Sequence, residues 1–425
     1  MPDRRAYLLA IGLALALVVE SVRTPAMASR QGASPGQAAN PILVLVSFDG
    51  WRWDYTDRFD LPNVQALAAR GVRVRELVPS FPALTFPNHY TIVTGLYPEH
   101  HGIVANVMID PKIPDRFTMS SATSRDSAWW GGEPIWVTAV RQGRRSATMF
   151  WPGSEVAVDG VRPTYWKPFD SKLPSEARTS QVLEWLAMPE AERPSVVTLY
   201  QEVVDHAGHD FGPDSPEVAT AAAELDRNLG TLVAGIDRLH LGDRTTVVLV
   251  SDHGMASLAP QRIIWLDDYI DLDTVTVTEW EGLLELSPRD RTPAGLRRVY
   301  DALQHAHPRL RVFERGSLPD HLRHGTNPRT PAIIGLPDDG WVVTSRQRRL
   351  QPHDDGWSPQ RGAHGFDTAY RDMHALFVAA GPPIVRGLVL PMMDNVHIYE
   401  FLCAVASLEP AANDGDPSVT RAFLR

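Results

Sequence analysis

A single cysteine, Cys403, stands among 425 residues, so the chain has no internal disulfide and no multi-thiolate metal site. Basic charge is in deficit as well. The formal net charge of -10 excludes general binding along a nucleic-acid backbone, which needs a basic surface, and no stable nucleic-acid complex is expected. It does not exclude a charged ligand, because a bound metal inverts the local field. The chain shows no internal repeat and no low-complexity tract. Long apolar runs are also scarce. The run AYLLAIGLALALVV, after the basic start MPDRR, is short for a membrane span. AMAS follows it with small residues at Ala26 and Ala28, so residues 1–28 read as a signal peptide cleaved after Ala28. A periplasmic or secreted protein is expected, with no membrane span in the mature chain.

What is present is a large apolar share, 44% of the chain, enough for one large core or two modest ones. Residues 29–39 read as a flexible lead-in. PILVLVSFDG then gives a continuous apolar run ending in Asp-Gly, as expected of a buried parallel strand. LPNVQALAARGV has helical periodicity with Gly71 as a stop. SVVTLYQEVVDHAGH and TTVVLVSDHG repeat the strand pattern, and SPEVATAAAELDRNLGTLVAGIDRL between them predicts a long amphipathic helix. Strands alternating with helices indicate an α/β fold with a mostly parallel central sheet flanked by helices. Composition changes after Gln261. Residues 261–359 read as an inserted α+β cap with an exposed, Arg-rich helix, dividing a catalytic core into 40–260 and 360–425. MMDNVHIYEFLCAVASL predicts the final helix.

The apolar strands end in acidic or imidazole residues. Asp49 follows LVLVSF, Asp252 and His253 follow VVLVS, and Asp205 follows VVTLYQEVV. Ligands of open parallel sheets bind beyond the carboxyl ends of the strands, so these distant residues should converge on one edge. The spacing D-x-x-x-H puts Asp205 and His209 on one side of a helical turn. His364, in GAHGF, is flanked by glycines that let the backbone come close. Oxygen and nitrogen ligands without sulfur suit zinc, and their number suffices for two ions. An isolated Asp after a strand is more often a helix cap, and an isolated D-x-x-x-H is usually a solvated helix face. Their joint occurrence at strand ends favours a metal centre.

SFPALTFPNHY places Thr85 at a strand-to-helix junction, where helix amides and two metals would favour an anion. Its hydroxyl can cap the helix, act as a metal-activated nucleophile, or do both. Asn106, in HGIVANVMID, can donate to a phosphate oxygen as a neutral substitute for Arg.

The segments SFDGWR, FPALTFPNHYTIVTGLYPEHHGI, FWPGSEV, DHAGHDFGP, SDHGM and GAHGF together resemble the nucleotide pyrophosphatase/phosphodiesterases of the alkaline phosphatase superfamily. The resemblance is nearest to the compact bacterial enzymes of Xanthomonas type. It implies an alkaline phosphatase-like fold and a bimetallic zinc phosphoric diester hydrolase that releases 5′-nucleotides through a nucleotidyl-threonine intermediate. Asp205, His209 and His364 would then hold one zinc. Asp49, Thr85, Asp252 and His253 would hold the other, with Thr85 the nucleophile and Asn106 on the phosphate. Phe86 matches the aromatic that packs on a nucleobase, and Phe169 falls where relatives usually carry a stacking Tyr. Leu84 stands where vertebrate relatives often have Lys. The expected partner is a nucleotide or another small phosphodiester. Two other readings remain: a choline-lipid phosphodiesterase whose headgroup pocket would use Trp151, Glu155 and Trp166, and a non-catalytic exported metal-binding protein.

Overall fold

Ile42–Phe48 is buried along its whole length, and its side chains alternate between two hydrophobic cores. Leu43 and Leu45 enter one, while Ile42, Val44, Val46 and Phe48 enter the other. A strand covered on both faces belongs at the centre of a helix-flanked sheet. In the computed structural model, which describes residues 40–120, 122–350 and 361–425, this strand lies inside an eight-stranded sheet. From one edge the order is Leu388–Asp394, Val72–Val78, Ala375–Ala380, Thr245–Val250, Ile42–Phe48, Val196–Gln201, Ser146–Met149 and Tyr165–Lys167. Neighbours pair in parallel, except that Ala375–Ala380 runs antiparallel to both of its partners. The signal peptide and lead-in expected over residues 1–39 lie outside the described residues.

Helices cover both faces. Thr85–Thr94, Ile135–Arg141 and Ile398–Ala406 pack into the first core. Pro62–Arg70, Ser175–Leu186 and Pro216–Arg238 pack into the second. The long helix begins where expected: Ser215 caps it by accepting the Val218 N–H at 3.2 Å, and Pro216 follows at a position that needs no N–H.

The helix expected from Met392 needs correction. Met392, Met393 and Asp394 end the edge strand Leu388–Asp394, and the helix starts only at Ile398. Pairing with Val72–Val78 decides the matter, because register contacts run from Leu388 to Asp394. In the chain between Thr245–Val250 and Ala375–Ala380 a four-stranded antiparallel sheet forms from Val275–Glu279, Leu284–Pro288, Ile333–Pro337 and Leu310–Glu314. It has its own core, built on Leu284, Leu286, Leu303 and Ile333 beneath the helix Pro293–Leu303. Among the described residues no helix is long and apolar enough to cross a membrane.

Candidate active site

The parallel register fixes where the first strands end. Ser47 pairs with Tyr200 and with Val250, so Asp49, Asp205 and Asp252 emerge together at the carboxyl edge. Gly50 makes the closeness possible. Its φ is +68°, and a Cβ there would fall 2.7 Å from the Asp205 Cα. Asp205 and His209 sit one turn apart on the helix Val203–Phe211, with His209 Nε2 3.5 Å from Asp205 Oδ1. His253 Nε2 lies 3.0 Å from Asp252 Oδ2 and 3.6 Å from Asp49 Oδ1. His364 arrives beside the two-residue strand Gly362–Ala363, where a Cβ on Gly362 would meet the Gly208 carbonyl at 2.3 Å. Its Nε2 is 3.1 Å from His209 Nε2 and 3.8 Å from Asp205 Oδ1, and its ring stacks on His253 at 3.6 Å. All six residues therefore meet.

The imidazoles share one orientation. Nδ1 of His209, His253 and His364 faces the carbonyls of Gly362, Gly254 and Ala83 at 3.0, 2.9 and 2.9 Å. A carbonyl can only accept, so Nδ1 carries the proton and each Nε2 turns a lone pair into the site. The carboxylates point the same way. Asp49 Oδ1, Asp205 Oδ1 and Asp252 Oδ2 are buried without a hydrogen-bond donor. Buried polar oxygens are almost always satisfied, so these three mark a place prepared for a cation. Asp205, His253 and His364 form one ligand group of suitable spacing, and Asp49, Asp252 and His253 form a second.

Electrostatics differ from ligand to ligand: burial would lower His253, but Asp252 beside it outweighs that and raises it. Burial and the charges of Asp252 and Asp205 push Asp49 well above the usual carboxyl range. Burial alone would raise Asp252 too, but His253 and His89 outweigh it and hold that carboxylate well below the range. Burial, reinforced by His253, pushes His364 down to about 3. A neutral imidazole beside crowded carboxylates is the state a metal ligand requires.

Thr85 is the first residue of its helix. Leu84, in extended conformation, holds the cap position, so the capping role considered for Thr85 does not apply. Its Oγ1 sits 3.3 Å from His253 Nε2, at the floor of a cavity of about 530 Å³. Phe86, Trp151, Glu155, Phe169, Asp49 and Asp205 line the same cavity. Asn106 accepts the Phe86 N–H at 3.0 Å, so its amide oxygen is fixed and its NH₂ remains a donor. Phe86 rests against Phe117 and Trp130. Phe169 is 47% exposed and leans on Phe150 and Tyr200.

The residues suggested for a choline headgroup do not form a cage. Glu155 is paired with Arg125 at 2.7 Å and also accepts the Phe169 N–H at 2.8 Å. Trp151 is buried, donating its indole N–H to the His89 carbonyl. Trp166 does not line the cavity and is covered by the Arg162 guanidinium.

The family model described as type I phosphodiesterase/nucleotide pyrophosphatase matches residues 43–367. The chain belongs to that family. Human ectonucleotide pyrophosphatase/phosphodiesterase family member 5 is 34% identical over 374 residues, covering 88% of this chain and 76% of the relative. Venom phosphodiesterase CdcPDE of Crotalus durissus collilineatus is 35% identical over 382 residues, 88% of this chain and 45% of the relative. The chain thus spans about half the length of the venom relatives it matches. Murine ectonucleotide pyrophosphatase/phosphodiesterase 5, solved as an inactive threonine-to-alanine variant in complex with AMP, superimposes with a TM-score of 0.84 at 33% identity, covering 91% of this chain and all of that one.

This family member also has site residues that sequence reasoning missed. His89 is buried one helical turn after Thr85, with Nδ1 2.9 Å from the Thr85 carbonyl and 3.3 Å from Asp252 Oδ2, and with Nε2 2.8 Å from Ser47 Oγ. Its four-residue spacing from Thr85 was the available signal. Tyr200 donates its hydroxyl to Asp49 Oδ2 at 2.5 Å. Arg178 and Glu202 form a buried pair below Phe169, with no local pattern to announce it.

Proposed function

We propose that this protein is a zinc-dependent phosphodiesterase and pyrophosphatase that cleaves nucleotide phosphodiester and phosphoanhydride bonds and releases 5′-nucleotides. The carrying observation is the convergence of three donor-less carboxylate oxygens and three inward Nε2 atoms around the Thr85 hydroxyl. Asp205, His209 and His364 would hold one zinc; Asp49, Asp252, His253 and Thr85 would hold the other. When bound, such a pair acidifies a coordinated hydroxyl or water and offsets the negative charge gathering on phosphate oxygens. Thr85 Oγ1 then forms a bond to the diester phosphorus as the bond to the leaving oxygen breaks, giving a nucleotidyl-threonine. A water attacks the same phosphorus from the vacated side, which releases the 5′-nucleotide and restores Thr85. Asn106 donates its NH₂ to a non-bridging phosphate oxygen without adding charge, a choice that suits diesters. Phe86 and Phe169 offer two ring faces to a base.

The murine relative trapped with AMP as an inactive threonine-to-alanine variant supports both the nucleotide and the threonine. The single cysteine supports a place among the compact bacterial members of Xanthomonas type. The names of venom and ecto-enzyme relatives support export, and with it removal of residues 1–28. We assign residues 261–359 as a cap inserted between core segments 40–260 and 360–425. The pairing of Glu155 with Arg125 weakens the choline-lipid reading, since a quaternary ammonium needs an uncompensated carboxylate or an open aromatic cage.

The test is a substrate panel run with metal analysis on one preparation, comparing nucleoside triphosphates, dinucleotides, cyclic dinucleotides, choline lipids and phosphomonoesters. Release of 5′-nucleotides in proportion to zinc content is expected. Preferential turnover of choline lipids, or zinc content with no turnover of any diester, overturns the proposal.

A further inference from the structure

Asn106 is held at two points, and only one of them belongs to the core of the site. Its side chain accepts the Phe86 N–H at 3.0 Å. Its backbone is held through the next residue by Glu279, the last residue of Val275–Glu279 in the second sheet, whose carboxylate accepts the Val107 N–H at 2.8 Å. Glu279 lies 172 residues beyond Val107 in sequence, yet it holds an amide of the phosphate-contact loop.

The surroundings of Glu279 are unusual for a surface acid. Glu285, fully buried, lies close enough to raise it electrostatically and is itself 3.3 Å from His324 Nε2. His324 meets Phe81 edge-on at 5.3 Å, in the loop that leads into Thr85. The inserted sheet therefore braces both the loop before the nucleophile and the loop bearing Asn106. Burial and the Glu285 charge push Glu279 up to about 8. Near neutrality it is mostly a neutral acceptor, one that holds the Val107 amide without setting a negative charge behind an anionic substrate.

We propose that Glu279 is a positioning residue for Asn106, fixing the loop backbone so that the Asn106 amide meets the substrate phosphate. This rests on the reading of Asn106 as the phosphate contact. It gives the inserted segment a part in catalysis that needs no movement.

The test uses the full, metal-loaded chain and bis(4-nitrophenyl) phosphate, a diester with no base to bind. Asn106→Ala and Glu279→Ala are each expected to lower kcat/KM by roughly tenfold or more. Glu279→Gln keeps an acceptor oxygen and is expected to restore most of the loss. In an Asn106→Ala background, Glu279→Ala should have no further effect, because the group it positions is gone. Amide exchange at Val107 should quicken in Glu279→Ala but not in Glu279→Gln, a readout independent of turnover. If the alanine variant does not fold, Glu279→Met, similar in length but without an acceptor oxygen, carries the same comparison. Multiplying losses in the double variant, equal losses for Gln and Ala, or unchanged exchange overturn the proposal. A fully active Asn106→Ala alongside an impaired Glu279→Ala instead overturns the phosphate-contact reading, and the positioning role falls with it.

Discussion

Glu279→Gln should stabilise the folded protein in a pH-dependent way. The carboxyl moves from an ordinary 4.5 to about 8, first because of burial and then because of Glu285, with Glu281 adding to the effect. Between those two values the folded chain holds a proton that the unfolded chain has released. Stability therefore falls as pH rises through this window, and the penalty is complete above about 8. At about 1.4 kcal/mol per tenfold change in proton affinity the full penalty is about 5 kcal/mol. Relaxation around a partly buried side chain reduces it to roughly 2–4 kcal/mol. Glutamine keeps the shape and an acceptor but cannot ionise. An unfolding entropy of roughly 0.8 kcal/mol/K for a unit this long turns the difference into a Tm gap of roughly 3–5 °C. Melting both proteins in parallel from pH 5.5 to 9 reads that gap, and groups titrating equally in both cancel out. It should be small at the acid end, widen through neutrality and level off above pH 8. A gap that stays constant to within about 1 °C across the series refutes the reasoning.

Thr85→Ala should lower kcat by at least ~10³-fold with the fold intact, while Thr85→Ser keeps part of the activity; an alanine variant within tenfold of the parent means another group attacks. Phe169→Ala should raise KM for nucleotide diesters by the equivalent of roughly 1–3 kcal/mol of lost stacking and spare a base-free nitrophenyl diester. Equal losses on both substrates would make Phe169 a packing residue only. Elemental analysis should find about two zinc ions per chain, removable with a chelator and restorable with loss and recovery of activity; full activity after exhaustive metal removal ends the bimetallic proposal. Arg178→Met strands Glu202 without its partner in a buried place and should cost roughly 3–5 kcal/mol in denaturant melts, with Glu202→Gln in the same chain recovering part of it. An Arg178→Met protein as stable as the parent would show that solvent reaches the pair.

The fold class and the convergence of the site side chains were legible: Asp205, His209 and His364 stood out by helical spacing and flanking glycines, while Asp49 and Asp252 stand at the abrupt ends of apolar runs. Asp49 after LVLVSF and Asp252-His253 after VVLVS are such endings. Their convergence follows from the parallel register alone. The helix misplaced onto Met392 shows the converse, since in LVLPMMDNVHIYEF the polar pair Asp394-Asn395 that separates edge strand from helix also fits a helical pattern. Tyr200 and Glu279 escaped notice for a different reason. Each acts through one contact with a residue far off in sequence, Asp49 for Tyr200 and the Asn106 loop for Glu279. Nothing around either residue distinguishes it from an ordinary strand position. Glu155 carried too much weight as a free acid, because the Arg125 that neutralises it comes from a separate short turn.

The antiparallel strand Ala375–Ala380 lies between Val72–Val78 and Thr245–Val250, and His364 is supplied just before it. On a ribosome each arrives after the segments it joins. Until His364 is made the imidazole cluster lacks a member, and until Ala375–Ala380 follows, two apolar strands wait with open edges. A shorter nascent chain can build local helices and the four-stranded sheet, yet it cannot close its main sheet. Closure of the main sheet therefore waits for Ala375–Ala380, whatever the state of the helices and strands made before it.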